Sequence, residues 1–220
     1  MSIIIAKKFN GGVLIASDSR GTRGNNGKDN VEKAFESLYS NTALGCVGYL
    51  RDCNIIQALE EIVPYKDIFE NTPIDIKYVI KVIVPNLFGV FKTQNRIKEE
   101  EGIPSFLSEF MFCTEERIFK IDADGAVTEH ENFLSIGCGE DYVEGMLNNK
   151  EDIKNLEETA KELEEAIMTS CKHDPYISKN PKDIKYIVLV KEGFELEESC
   201  QQEVEIEDKN KKKKKEKNKK

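Results

Sequence analysis

Residues 9–24 read FNGGVLIASDSRGTRG, and they set the reading of everything around them. With IIIAKKF at 3–9 they form two β-rich runs separated by Asn10-Gly11-Gly12, the pattern of a tight hairpin. The second run, VLIAS, is apolar, yet Asp18, Ser19 and Arg20 follow it at once and a glycine-punctuated turn comes next. Charges at the end of a strand that otherwise reads as core fit a solvated turn, or a site built on the strand end. Only the remainder of the chain separates the two.

Working outward, KAFESLYS (33–40) and TALGCVG (42–48) predict a second hairpin around Ser40-Asn41. Four strands before any helix exclude a doubly wound βαβ order. LRDCNIIQALEEIV (50–63) predicts a helix with Cys53, Ile56, Leu59 and Val63 at helical spacing, ended by Pro64. The next segment (74–98) predicts a second, long helix, with Ile76, Ile80, Ile83 and Leu87 on one face and a kink at Pro85. After EEEGIP come β runs at SFLSEFMFCT (105–114), RIFKID (117–122) and AVTEHENFLSIG (126–137). GEDYVEGMLNN (139–149) is a short helix, and LEETAKELEEAIMTSC (156–171) an amphipathic one with Leu156, Ala160, Leu163 and Ile167 inward. DIKYIVLVKEGFELEE (183–198) closes the order with two strands around Glu192-Gly193. The reading is α+β, one domain over 1–206.

The chain of 220 residues has a net charge of −9, unevenly spread. Residues 1–206 carry 23 basic against 38 acidic side chains, a net of −15, while 207–220 hold nine lysines and three acids. So acidic a body argues against a nucleic-acid-binding face. The low-complexity lysine tail, 207–220, is expected to be a disordered solubilising end. No apolar run reaches the roughly 18 residues of a membrane span, and the N-terminal apolar run is too short for a signal peptide, so a cytoplasmic protein is expected. The six scattered cysteines form no C-x-x-C pair and read as reduced thiols. With only His130 and His173, a multi-histidine zinc site is not expected. No cofactor is expected.

Several short stretches, in order, resemble one family. FNGGVLIASDSRGTRG resembles the signature of proteasome β-type subunits and the related bacterial peptidase HslV. VEKAF (31–35) falls where that family has its lysine, and LGCVGYLRDC (44–53) resembles its glycine-centred strand end running into a helix. FLSIGCGEDYVEGML (133–147) resembles its Gly-Ser-Gly segment, and KHDPYIS (172–178) its Arg-Asp-x-x-Ser. Each match alone is weak; their order and spacing across residues 2–198 carry the resemblance.

The resemblance implies a four-layer αββα sandwich of the N-terminal nucleophile (Ntn) hydrolase type. It implies a peptidase working as a self-compartmentalised ring of this chain or related subunits, on peptide substrates, with an ATPase unfoldase as possible partner. Family spacing places Ser2 as the nucleophile, exposed once Met1 is removed, with no propeptide in between. A hydroxyl is a poor nucleophile and needs an adjacent base, which a free α-amine of reference pKa about 8 supplies within the same residue. Lys33 is implied as the cation beside Ser2, Asp18 as its partner, the Gly48 N–H as oxyanion donor, and Asp174 and Ser178 as the groups that hold the amine, with Arg20 as a brace. Three features depart from the family. The nucleophile is Ser rather than Thr, Cys138 replaces the serine of Gly-Ser-Gly, and the stretch before Ser178 is one residue longer. Two alternatives stay open: a non-catalytic β-type structural subunit, and an Ntn amidohydrolase of a small amide.

Overall fold

A computed structural model describes residues 2–23, 26–28, 31–59, 61–148, 153–174, 177–178 and 180–195. The strands Ile3–Phe9 (β1) and Gly12–Ser17 (β2) form the expected hairpin, Ile4 facing Ser17 and Phe9 facing Gly12. A backbone excursion follows, Gly21–Arg23 (β3) paired with Asn26–Lys28 (β4), and Val31 N–H closes it onto the Ser19 carbonyl at 2.8 Å. Ala34–Glu36 (β5) and Thr42–Val47 (β6) form the second hairpin. Helices Leu50–Gln57 (α1), Tyr65–Phe69 (α2) and Ile76–Tyr78 (α3) come next; a π-helical turn, Val79–Ile83, joins α3 to Val84–Thr93 (α4). Ile97–Glu100 (β7) pairs with Ile103–Phe106 (β8), and Glu109–Thr114 (β9), Ile118–Ile121 (β10), Val127–His130 (β11) and Phe133–Gly137 (β12) follow. Helices Glu140–Leu147 (α5) and Leu156–His173 (α6) and the strand Lys185–Val190 (β13) complete the order.

Two antiparallel sheets result, β12-β1-β2-β13 and β11-β10-β9-β6-β5. Side chains alternate along the central strands β1, β2, β6 and β9, and both faces of these are buried. Ile4 and Ala6 of β1, with Val13 and Ile15 of β2, meet Ala43, Val47, Met111 and Cys113 between the sheets. Ile3 and Ile5 point the other way, with Leu14 and Ala16, onto Val143 and Leu147 of α5 and Leu163 and Ile167 of α6. Leu44, Phe110 and Phe112 of the second sheet turn outward onto Cys53, Ile56, Val79, Ile83, Leu87 and Phe91. The layers run helix, sheet, sheet, helix. Antiparallel strands usually show one wet face; here both are covered, so they read as unbroken apolar runs.

Five local readings need correction. The helix expected over 50–63 stops at Gln57, although Ile62 and Val63 are buried; burial of apolar side chains does not require a helix. Ile80 is half exposed, while Val79, Ile83, Val84, Leu87 and Phe91 face the core. Val79, Ile83, Leu87 and Phe91 run at four-residue spacing through the π-helical turn, so the buried stripe passes Val79 rather than its neighbour Ile80. The long helix expected over 74–98 ends at Thr93, and Ile97 and Lys98 belong instead to β7 of the β7–β8 hairpin. AVTEHENFLSIG, read as one β run, is two strands at the edges of different sheets, β11 and β12. Phe194 and Glu195, which would begin the second closing strand, are not in a strand, and the rest of that segment, the 206/207 boundary, the lysine tail and Cys200 lie outside the described residues.

Candidate active site

Asp18 stands one residue past β2, and its carboxylate is fully buried. Its Oδ1 accepts from Lys33 Nζ at 2.5 Å and from the Ile3 N–H at 2.9 Å. Its Oδ2 accepts the N–H groups of Arg20 at 3.1 Å and Ser178 at 3.3 Å. The Asp18 N–H returns the contact to the Ile3 carbonyl at 3.2 Å. Four donors on one carboxylate are what a buried charge requires. The Asp18 charge therefore lies inside, and the solvated-turn reading is excluded for it.

Lys33 comes from the other sheet. It stands just before β5, is 1% exposed, and accepts the Cys46 N–H on its carbonyl at 2.8 Å. Burial pushes its ammonium below the ordinary lysine value, against the opposing pull of Asp18. Arg20 reaches Asp18 through its backbone; its Nε and the neighbouring Ser19 Oγ are buried with no hydrogen-bond partner among the described residues.

Ser2 is 8% exposed and opens β1, directly before the residue that Asp18 holds. Its carbonyl accepts the Cys138 N–H at 3.0 Å and faces the Cys138 Sγ at 3.4 Å. Gly137 makes this approach possible: it sits at φ +107°, and a β-carbon there would lie 2.1 Å from the Ser2 carbonyl oxygen. Burial, then the hydrogen bond and charge of Asp174, push the Cys138 thiol up to about 12, so it stays neutral at physiological pH. Asp174 caps the C-terminus of α6 next to that thiol. Ser178 meets Asp18 through its N–H; its hydroxyl donates to Asp183 at 2.9 Å.

Gly48 follows β6 at φ +134° and is exposed to solvent. The structure thus brings Asp18, Lys33, the residue after Ser2 and the Ser178 backbone onto one carboxylate. Asp174 joins them through Cys138, and Gly48 lies at the end of the strand beside Lys33. Gly137 and Asp183 touch these groups without having been singled out as site residues. The G-C-G of 137–139 was a visible signal for the first; the second lies in unremarkable surroundings. Among the described residues no group of three His, Cys, Asp or Glu side chains is arranged to hold a metal, and no helix is long and apolar enough to cross a membrane.

The profile of the proteasome subunit family matches residues 2–186. Among solved structures, Thiobacillus denitrificans BPH superposes with a TM-score of 0.63 at 15% identity, covering 87% of this chain and 100% of that one. The same protein in complex with Epoxomicin gives 0.63 at 16% identity, covering 86% and 98%. At such identities the likeness shows the fold, a four-layer sandwich of the Ntn-hydrolase type. No curated protein matches the sequence significantly.

Proposed function

The chain belongs to the proteasome subunit family, and from that premise we propose that it is an N-terminal-nucleophile peptidase with Ser2 as the nucleophile. The observation that carries this reading is the fully buried Asp18 carboxylate, which ties Lys33 from one sheet to the residue after Ser2 on the other. A base-poor hydroxyl needs such a cation close by and a proton acceptor of its own. With Met1 removed, the Ser2 α-amine takes the hydroxyl proton as Oγ attacks a peptide carbonyl. The oxyanion that forms is met by the Gly48 N–H, the leaving amine takes the proton, and water releases the acyl group from Ser2. Ring assembly with copies of itself or related subunits, served by an ATPase unfoldase, belongs to the same proposal.

A second reading, a non-catalytic structural subunit, draws on two features. Cys138 is a neutral thiol where a hydroxyl is usual in the family, and the Ser178 hydroxyl is engaged by Asp183. One experiment separates the two. Intact mass and N-terminal sequencing are expected to give a chain starting at a free Ser2 that cleaves fluorogenic peptides. Ser2→Ala is expected to abolish cleavage, and Epoxomicin, bound in the complex of one structural neighbour, to inhibit it. A free Ser2 with no cleavage, in an assembled protein, overturns the peptidase reading in favour of the structural one.

A further inference from the structure

Gly48 is exposed, yet the floor beneath it is closed. A β-carbon at Gly48 would lie 2.4 Å from Ser108 Oγ and 3.0 Å from Ser108 Cβ. Ser108 is 4% exposed and sits in the bend between β8 and β9, 60 residues away in sequence. Its hydroxyl accepts the Tyr49 N–H at 3.2 Å and donates to Asp52 Oδ2 at 2.6 Å. Asp52 is fully buried in the first turn of α1, and Arg96 grips it with both arms, Nε to Oδ1 at 2.5 Å and Nη2 to Oδ2 at 3.1 Å. The same guanidinium lies 4.8 Å from the centre of the Tyr49 ring. The Tyr49 carbonyl is taken in turn by the N–H groups of Asp52 at 2.9 Å and Cys53 at 3.3 Å.

We infer that Ser108, fixed by the buried Asp52–Arg96 pair, is the positioning residue that aims the Gly48 N–H; the inference rests on the peptidase reading above. Two peptide planes meet at Gly48. The one before it is held by the pairing of β6 with β9, which runs to Val47 opposite Glu109. The one after it carries the Tyr49 N–H and is held by Ser108. Glycine has no side chain to favour one φ over another, so its torsion at +134° is set by whatever holds those two planes. With Ser108 removed, the second plane swings, and the first follows it at the end of the strand. An oxyanion donor acts only when its N–H is aimed at the developing charge before the reaction begins. Asp52 and Arg96 keep the Ser108 hydroxyl turned so that its proton goes to the carboxylate and its lone pair to Tyr49. A bidentate arginine does this better than a lysine, because the fork fixes both carboxylate oxygens.

The test is Ser108→Ala in the full-length chain. The expected result is a fall in kcat of about tenfold or more with KM within about twofold, since the interaction lost is one made in the transition state. Amide hydrogen exchange of the segment around residues 48 and 49 is expected to rise by about tenfold, with the rest of β6 unchanged. If Ser108→Ala does not fold, Arg96→Lys is measured the same way, with a smaller change of the same kind. A folded variant with wild-type kcat and unchanged exchange at 48 and 49 overturns the inference. Should wild type itself not cleave peptides, the peptidase reading fails on its own. The exchange measurement then decides the positioning: raised exchange in the variant supports it, and unchanged exchange overturns it.

Discussion

Two lysine–carboxylate pairs lie buried against the same sheet and have almost the same geometry, yet they do different work. Lys7 of β1 meets Glu162 of α6 at 2.6 Å, the side chains 2% and 3% exposed. Lys33 meets Asp18 at 2.5 Å, at 1% and 0%. The first ties a sheet to the helix that covers it, with Lys154 as a second cation on Glu162 at 3.1 Å. The second ties one sheet to the other and collects three backbone N–H groups on its carboxylate, among them that of the residue after Ser2. Burial and charge are shared, so they do not mark a site. What distinguishes the second pair is convergence from separate elements onto the residue after Ser2, beside an exposed glycine turn.

The largest expected effect breaks the comparison at Lys33. Lys33→Ala should reduce peptide cleavage by about 10²-fold or more. It should also lower stability by about 3 to 5 kcal/mol, because Asp18 is left buried without its cation. Fluorogenic peptide assays and urea unfolding measure the two separately. Glu162→Gln is the counterpart: a stability loss of about 3 kcal/mol in urea, with kcat at saturating peptide within about twofold. Were Glu162→Gln to silence a folded, assembled protein, the distinction between the two pairs would be wrong.

Gly137→Ala comes next. Its methyl would meet the Ser2 carbonyl oxygen at 2.1 Å in a backbone conformation that disfavours a side chain. Overpacking of this kind costs about 1–3 kcal/mol, and displacing Ser2 should lower cleavage along with the unfolding midpoint.

The response to pH sharpens the contrast further. The Lys33 ammonium is held below the ordinary value of 10.5, chiefly by burial, so it is lost as pH rises before that value is reached. Cleavage should therefore rise as the Ser2 amine becomes neutral, near its reference value of about 8, and fall again below pH 10.5. Glu162 acts at the other extreme. Burial opposes its charge, but the hydrogen bonds and charges of Lys7 and Lys154 prevail and leave its carboxyl below 4.5. A depressed carboxyl contributes stability above its unfolded value, and that contribution disappears as pH falls from about 4.5 through the folded value. Unfolding midpoints measured across pH 3–6, where Glu162→Gln should flatten the acid limb, check the sign. The smallest effect is expected at Cys138. Its thiol, raised to about 12, should resist iodoacetamide at pH 8 far longer than a free cysteine. Cys138→Ser should leave cleavage equal to or above wild type, and a tenfold loss would mean that the sulfur itself is needed.

The strand and helix order was readable because apolar periodicity reports burial, and burial is what those elements share. The same periodicity did not say which partner buries a face. β1 shows seven residues of which six are buried, and nothing in IIIAKKF tells that Ile4 meets a sheet and Ile5 a helix. Ile80 differs for a related reason: Val79 and Ile80 both lie within helical reach of Ile83, at four and three residues, and only packing decides that Val79 is the buried one. In the candidate site, Asp18, Lys33 and Gly48 stood out because their spacing resembles one family. Ser108 and Arg96 had no such cue, since a serine in a bend and an arginine after a helix are commonplace on a surface.

From sequence alone came the residue types, their order, and the short apolar runs that mark the central strands. Closure of the four layers settled the rest. It sent the Ser178 hydroxyl to Asp183 while its N–H went to Asp18. It put Lys33 under Asp18 rather than on the surface, and slid Ser108 beneath Gly48. Local sequence sets what a segment can bury, whereas the partner of a buried polar group is whichever donor or acceptor the packed layers bring within hydrogen-bonding distance.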